Sequence, residues 1–455
     1  MTAGSNKSNE GQLTRATLLA FSAPALPIAM MHIPAGAVIP GFYASHTGIS
    51  LATIGTIFLA TRIFDAVSDP MIGYWSDRSN SRFGKRKPWL VVGALISAIA
   101  IYFLFTPPPT AGGLWLLVCF LSLYFGWTVM EIPYRAWSAE LSNDYGERTR
   151  ISTYIATFGV LGTIAFMSVP LLPMFETSEI GSDTLSVMAV LIIALLIPLV
   201  GIAVWRVDEG KGLASGRTSI KEALKAFRTN VPFRIFAGAY IFGGLANGLF
   251  VALFYIYVDS YLMLGAQFAI LYLCNALSNL MSVPIWYRVM GSIGKHRALA
   301  LSWLLYGLLL PAMVLTVKPG ADAFVPMIVF AIAIGFSEAA IRISPFALVG
   351  DIADYDLMKS GVNRVGSYFA LLIFVAKMNF AVGGAVGFLI LGWVGYQVRQ
   401  VNDGLADGGL FWAIAGIPAI LYALAALLIY RYPLTAERHA RIQKIIVRQR
   451  ARRDD

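Results

Sequence analysis

Apolar stretches of membrane-crossing length recur along nearly the whole 455-residue chain. A hydrocarbon core about 30 Å thick takes about 20 residues of helix, and on that length the stretches between residues 16 and 431 predict about twelve spans. Lipid offers no partner to unpaired backbone groups, so runs of this length must be helical. Composition agrees: 58% of residues are hydrophobic and 13% charged, about half the charged share of soluble domains. The expected fold class is an all-α polytopic membrane protein. The first residues are polar (Asn6, Lys7, Ser8, Asn9, Glu10), and no short apolar core with a small-residue cleavage site follows. No cleavable signal peptide is therefore expected. Cys119 and Cys274 both fall inside apolar runs, and the four His include no i, i+4 pair. Neither a disulfide framework nor a metal cluster is expected. No nucleophile–His pair, phosphate loop or metal spacing points to an enzyme, and no cofactor is expected.

The formal net charge of +10 would suit nucleic acid, but its distribution argues against that partner. With the N-terminus placed inside, the even-numbered connections carry the basic residues. They hold Arg78, Arg82, Lys85, Arg86 and Lys87; Arg148 and Arg150; Lys211, Arg217, Lys221, Lys225 and Arg228; Lys295 and Arg297; Lys359 and Arg364. The tail adds Arg438, Arg441, Lys444, Arg448, Arg450, Arg452 and Arg453, whereas the other side holds only Lys318 and Arg399. This positive-inside pattern predicts a multi-pass protein of the cell (inner) membrane with both termini cytoplasmic. The basic excess sets topology and touches anionic membrane lipid. No nucleic-acid partner is expected.

The chain repeats itself. Asp65-Ala-Val-Ser-Asp69 in the second span matches Asn275-Ala-Leu-Ser-Asn279 in the eighth. Gly84-Lys-Arg-Lys and Gly294-Lys-His-Arg each begin fifteen residues after the second member. Glu131 and Arg135 in the fourth span match Glu338 and Arg342 in the tenth, both at i, i+4. Parallel six-helix repeats point to the major facilitator architecture, two pseudo-symmetric six-helix bundles with the site at the midplane between them. The expected division is 1–206 (first bundle, with the cation site), 207–231 (cytoplasmic linker), 232–432 (second bundle) and 433–455 (basic cytoplasmic tail). The linker segment Ser219–Phe227 reads as a short amphipathic helix on the membrane surface.

The second span carries the most informative charges. Asp65 and Asp69 lie four residues apart on one helix face, with Arg62 one turn before. A charge at bilayer depth costs several kcal/mol unless it is paired or solvated. One Arg cannot neutralise two Asp, so the pair reads as half of a cation site; the alternative is a structural salt bridge. The eighth span has amides where the second has acids, which fits a single coupling-ion site. After the second span come Gly73, Asp77, Arg78 and Gly84, with the basic run through Lys87. Gly73 is expected to permit close helix approach. Asp77 is expected to pair with basic residues or a helix N-terminus and latch the inside gate.

These stretches resemble a specific family. Residues 62–70, the loop through Lys87-Pro88-Trp89, Glu147–Arg150, and Gly350-Asp-Ile-Ala-Asp-Tyr355 with Gly361 before the eleventh span are similar to the glycoside–pentoside–hexuronide:cation symporters, the melibiose-permease group. The resemblance implies import of a sugar or glycoside together with Na⁺, Li⁺ or H⁺. It implies that Asp65 and Asp69 hold the cation, with Thr128 nearby, and that Glu131 stands at the acidic sugar-binding position. It matches Lys377 to the family's intramembrane lysine. Na⁺ wants oxygen ligands, and a buried carboxyl whose pKa is raised could carry H⁺ instead; the residues leave the ion open. Where the family has a sugar-binding acid in the first span this chain has Ala29, and its flanking tryptophans align with Arg135 and Arg342. Arg forks suit carboxylate or sulfonate groups, so an anionic substrate such as a hexuronide or sulfonated sugar is expected. The alternative is that Glu131–Arg135 and Glu338–Arg342 neutralise each other.

Pro24, Pro27, Gly36 and Pro40 predict a kinked first span, and Gly383, Gly384 and Gly387 close packing of the eleventh. His32 is a candidate substrate contact, and Phe21, Tyr43, Trp127, Tyr134, Tyr255 and Phe380 are candidate stacking rings. The expected function is cation-coupled symport by a monomer working through alternating access. Rival readings are a lipid or lysolipid carrier, like a eukaryotic branch of the same family, and a non-transporting membrane sensor.

Overall fold

The computed structural model describes residues 13–79, 81–142, 144–209, 230–362 and 364–454. Among these, twelve helices are long and apolar enough to cross a membrane. They are α1 (Arg15–His46), α2 (Leu51–Arg78), α3 (Lys87–Phe105), α4 (Gly113–Glu140), α5 (Gly146–Leu171) and α6 (Ser182–Arg206), followed by α7 (Val231–Tyr261), α8 (Gly265–Ile293), α9 (Lys295–Thr316), α10 (Phe324–Ser360), α11 (Val365–Trp393) and α12 (Gly404–Tyr430). A polar helix, α13 (Ala436–Asp454), ends the described chain. The amphipathic helix expected at Ser219–Phe227 lies outside the described residues.

Two compact units emerge. One comprises residues 13–49 and 60–209; the other comprises 50–59 and 230–454. The first nine residues of α2 therefore belong with α7–α12. A methyl group on Gly55 would sit 3.0 Å from Phe388 Cβ, and one on Gly392 2.7 Å from Ala52 Cβ, so this end of α2 lies directly against α11.

Local chemistry accounts for the irregularities. α1 is interrupted by a turn at Ala23–Pro24 and loosens into a π-helical turn over Pro34–Val38, as its prolines predict, because a proline amide has no proton for the helical ladder. α10 runs on to Ser360, eleven residues beyond the apolar window that ends at 349. The Gly350–Tyr355 stretch expected before the eleventh span is therefore helical, and Gly361 ends it with φ +68°. Its acids read as loop in the sequence but are held by neighbouring cations: Lys295 Nζ donates to Asp351 at 2.7 Å, and Arg364 Nη1 to Asp356 at 3.2 Å. The aligned glycines Gly84 and Gly294 both adopt left-handed backbone, φ +107° and +92°, just before α3 and α9. Only glycine takes that conformation without strain, so the repeat extends to backbone geometry.

Close helix approach does not depend on Gly73 as expected. A Cβ on Gly73 would meet Ile132 Cγ2 at 3.8 Å, an ordinary contact, so Gly73 is not required for packing. Gly93 and Gly126 are: a Cβ on Gly93 would stand 2.6 Å from the Met130 backbone nitrogen, and one on Gly126 would stand 2.7 Å from that of Ser97. α3 and α4 thus touch backbone to backbone. Gly383 and Gly384 of α11 do pack closely, against the Leu245 carbonyl (2.6 Å) and the Phe58 ring (2.9 Å).

This contrast is testable. Gly93→Ala is expected to cost about 1–3 kcal/mol by overpacking, whereas Gly73→Ala stays within about 0.5 kcal/mol. Thermal unfolding of the detergent-purified variants measures both; equal Tm values would contradict the packing described.

Candidate cation and substrate site

α2 and α4 make few close backbone approaches and are joined by polar side chains. The Thr128 hydroxyl lies 2.8 Å from Asp65 Oδ1 and 3.0 Å from Asp69 Oδ1. Asp65 is 5% exposed, Asp69 is half-buried and Thr128 is buried. A hydroxyl has one proton and can donate it to one carboxylate at a time. The hydroxyl therefore serves the two acids alternately. Arg62 stands beside them: its Nη1 is 3.9 Å from Asp65 Oδ2, while its Nη2 donates to the Tyr124 hydroxyl at 2.6 Å. The guanidinium also lies over the Tyr124 ring, 4.1 Å from its centroid. Arg62 is thus held beside Asp65 by its contacts with Tyr124. Tyr124 was not singled out by sequence; its i−4 placement relative to Thr128 is the signal that was there to read.

The second unit lacks this arrangement. The repeat places Gly335 where α4 has Thr128, and a Cβ there would overlap the Asn275 backbone. Asn275 Nδ2 instead donates to the Ala331 carbonyl at 3.3 Å, and Ser278 Oγ to the Ile332 carbonyl at 2.7 Å. α8 and α10 are therefore packed tight where α2 and α4 enclose carboxylates and a hydroxyl.

The other charged pairs form within their own helices. Arg135 donates Nε (2.9 Å) and Nη2 (2.6 Å) to Glu131 Oε1. Arg342 donates Nε (2.9 Å) and Nη2 (2.5 Å) to Glu338 Oε1. The arginine side chains are 70% and 65% exposed, while Glu131 and Glu338 are 20% and 12% exposed. Each guanidinium is thus accessible but already faces a carboxylate. Lys377 is half-buried in α11. His32 is exposed and meets the Trp127 ring edge-on at 5.0 Å, next to Thr128 in sequence. Of the candidate stacking rings, Phe21, Tyr43, Trp127, Tyr134 and Tyr255 are buried core residues, and Phe380 alone of the six keeps substantial exposure.

The loop after α2 forms an ion cluster around a residue that the sequence reading counted only as part of a basic run. Arg86, 3% exposed, donates Nη2 to Glu140 (2.6 Å) and Asp77 (2.7 Å), and Nη1 to Ser76 (3.1 Å). Burial works against its charge, but the carboxylates of Glu140 and Asp77 outweigh it and hold the Arg86 pKa above the ordinary arginine value. Asp77 thus pairs with a basic residue as expected, and the cluster joins the ends of α2, α3 and α4 within one unit. Arg78 is not in it: its guanidinium lies 3.5 Å over the Tyr74 ring. Glu209, just past α6, accepts the backbone amides of Lys85 (2.5 Å), Arg86 (2.6 Å) and Lys87 (2.9 Å). It caps α3 from more than a hundred residues away, an arrangement no local motif announces. A Cβ on Gly84 would meet the Glu209 carboxylate at 2.5 Å, which gives this glycine a second reason.

The sequence model of the family described as MFS/sugar transport protein matches residues 20–436. The chain belongs to this family. Among curated members it is 25% identical to the "Putative glycoside/cation symporter YagG" of Escherichia coli (strain K12), over 90% of both chains. It is 27% identical to the "Isoprimeverose transporter" of Lactiplantibacillus pentosus, over 86% of this chain and 83% of that one. The crystal structure of the nucleoside transporter NupG (D323A mutant) superposes with a TM-score of 0.69 at 16% identity, covering 92% of this chain and all of the other, and shows the shared fold. The chain is an integral membrane transporter of the MFS/sugar transport family, not an enzyme.

The Arg86 cluster predicts an order of effects. Glu140→Ala, which leaves the buried guanidinium without its two-bond partner, is expected to cost about 3 kcal/mol. Asp77→Ala removes a partner that is 58% exposed and is expected to cost under about 1 kcal/mol. Thermal unfolding ranks the two; the reverse order would contradict the cluster as described.

Proposed function

We propose that the protein is a cation-coupled symporter that imports a sugar or glycoside by alternating access. The observation that carries this reading is the convergence of three oxygen-bearing side chains inside the membrane spans, with the Thr128 hydroxyl set 2.8 and 3.0 Å from the Asp65 and Asp69 carboxylates. The coupling cation is held at Asp65 and Asp69. As Na⁺ it takes carboxylate and hydroxyl oxygens as ligands; as H⁺ it sits on one of the two carboxyls. A cation seated beside carboxylates lowers the cost of carrying them at bilayer depth, and this is the physical link between cation binding and the reorientation step.

Glu131, Arg135, Glu338, Arg342, Lys377 and His32 are the proposed substrate contacts. Because each arginine faces its own glutamate, the two pairs cancel in charge and present donors and acceptors together, which suits sugar hydroxyls. This favours a neutral sugar or glycoside. A hexuronide or sulfonated sugar is the second reading, favoured by Lys377 and by the high exposure of both guanidiniums. The distribution of basic loops supports a reading in which both termini are cytoplasmic and the protein lies in the cell membrane. The division at 207–231 and action as a monomer complete the reading.

Asp69→Asn is expected to reduce gradient-driven uptake at least about tenfold while leaving thermal stability near that of the parent. Normal coupled uptake by this variant would sink the cation assignment. For the substrate, thermal stabilisation by matched neutral glycosides and glucuronides separates the readings, since a ligand of the folded state raises Tm. A neutral substrate predicts that Arg135→Ala weakens neutral and anionic ligands alike. Selective loss of the anionic ligand would instead establish the hexuronide reading.

A further inference from the structure

The tail helix α13 is docked on the second unit, and the docking leaves a groove. One face of α13 carries His439, Ile442, Gln443 and Ile446, spaced at i, i+3, i+4 and i+7. Ile442 and Ile446 are buried at 6% and 5% exposure. His439 Nε2 lies 3.0 Å from Asp354 Oδ2 and 3.5 Å from Asp351 Oδ1, and Gln443 Nε2 donates to Asp354 at 2.6 Å. Lys295 donates to both carboxylate oxygens of Asp351, at 2.7 and 2.9 Å. The acids at this end of α10 are thus engaged by α9 and α13. Beside the docked face lies a cavity of about 390 Å³ walled by Val231 and Pro232 of α7, Tyr355 and Met358 of α10, and Leu434 and Ile442. Arg438 and Arg441 line it as well, and both are exposed. Arg438 Nη1 donates to the Pro433 carbonyl at 2.9 Å, which fixes that side chain near the groove.

We propose that this groove binds one anionic phospholipid, its acyl chain against the apolar wall and its phosphate between Arg438 and Arg441. Three observations select that occupant. The wall is formed by the first residues of the membrane span α7 and by the last residues of α10, so the groove lies at the level where a span leaves the bilayer. The lining is apolar with two guanidiniums, the chemistry of a chain joined to a phosphate. The outer face of α13 continues with Lys444 and Arg448, both exposed, so the local field favours an anion. The volume falls within the range of about 300–1,000 Å³ typical of small-molecule sites. A lipid seated here would touch α7, α10 and α13 together and fasten the tail to the span ends. The site is independent of the transport reading.

The test uses the full chain in a neutral detergent. Thermal unfolding and native mass spectrometry are run with phosphatidylglycerol, with phosphatidylcholine of the same chains, and with glycerol phosphate, which has the headgroup chemistry without chains. The expected result is stabilisation and a retained adduct with phosphatidylglycerol only. Each guanidinium contributes about fivefold in affinity near an anionic surface, so Arg438→Gln with Arg441→Gln should weaken that binding about 25-fold. Met358→Trp, which fills the groove and keeps both arginines, should weaken it as well. Arg438 and Arg441 are exposed and Met358 is half-buried, and a lipid-free Tm equal to the parent's confirms folding of both variants. Equal stabilisation by phosphatidylcholine, stabilisation by glycerol phosphate alone, or undiminished phosphatidylglycerol binding in both variants would overturn the proposal.

Discussion

A single hydroxyl proton shared between two carboxylates is the constraint on which the first unit turns. Thr128 stands within hydrogen-bond distance of both Asp65 and Asp69, inside a helix that crosses the membrane. Removing carboxylates from water is costly, and the cost is kept down only by nearby positive charge and donors. Arg62 contributes from 3.9 Å and is held toward Tyr124, whose hydroxyl accepts its Nη2 at 2.6 Å.

The same logic explains why the two halves, built on one plan, are not interchangeable. Gly335 packs against the Asn275 backbone at the position where α4 offers Thr128. Amides and a tight helix contact in the second unit replace the acids and hydroxyl of the first. The peripheral ion clusters play a different part. Arg86 with Glu140 and Asp77 in one unit, and Lys295 with Asp351 in the other, tie a short loop to the end of a neighbouring span. Both sit beside a glycine in left-handed backbone that turns the chain into the next helix.

Much of this was legible in the sequence, for reasons that also mark where reading fails. Twelve spans follow from apolar length alone, and the repeat was visible because its charged and amide residues interrupt otherwise uniform runs. Asp65, Asp69 and Thr128 come together as the family resemblance implies, since helix spacing fixes which side chains share a face. The extension of α10 through Asp351, Asp354 and Asp356 lies beyond the apolar run, and composition cannot reveal the hydrogen-bond partners arriving from α9, α13 and the following turn. Arg86 was hidden inside a basic run; burial is a tertiary property that Lys85 and Lys87 beside it do not share. Gly73 was credited with a packing role that belongs to Gly93 and Gly126, because the pattern says where glycines are and not what stands opposite them.

The central claim is that the two acids and the threonine hydroxyl form the coupling-cation site. The most direct measurement is cation-induced stabilisation of the purified protein, taken across Na⁺ concentration at fixed pH and across pH without Na⁺, for the parent and for Thr128→Val. A cation that binds only the folded protein must raise its apparent stability. The account predicts a rise in Tm with Na⁺ or with protons in the parent, and a strongly reduced rise once the hydroxyl is replaced by a methyl group of the same size. An undiminished rise in Thr128→Val, and in Asp65→Asn with Asp69→Asn, would place the cation elsewhere and contradict the account.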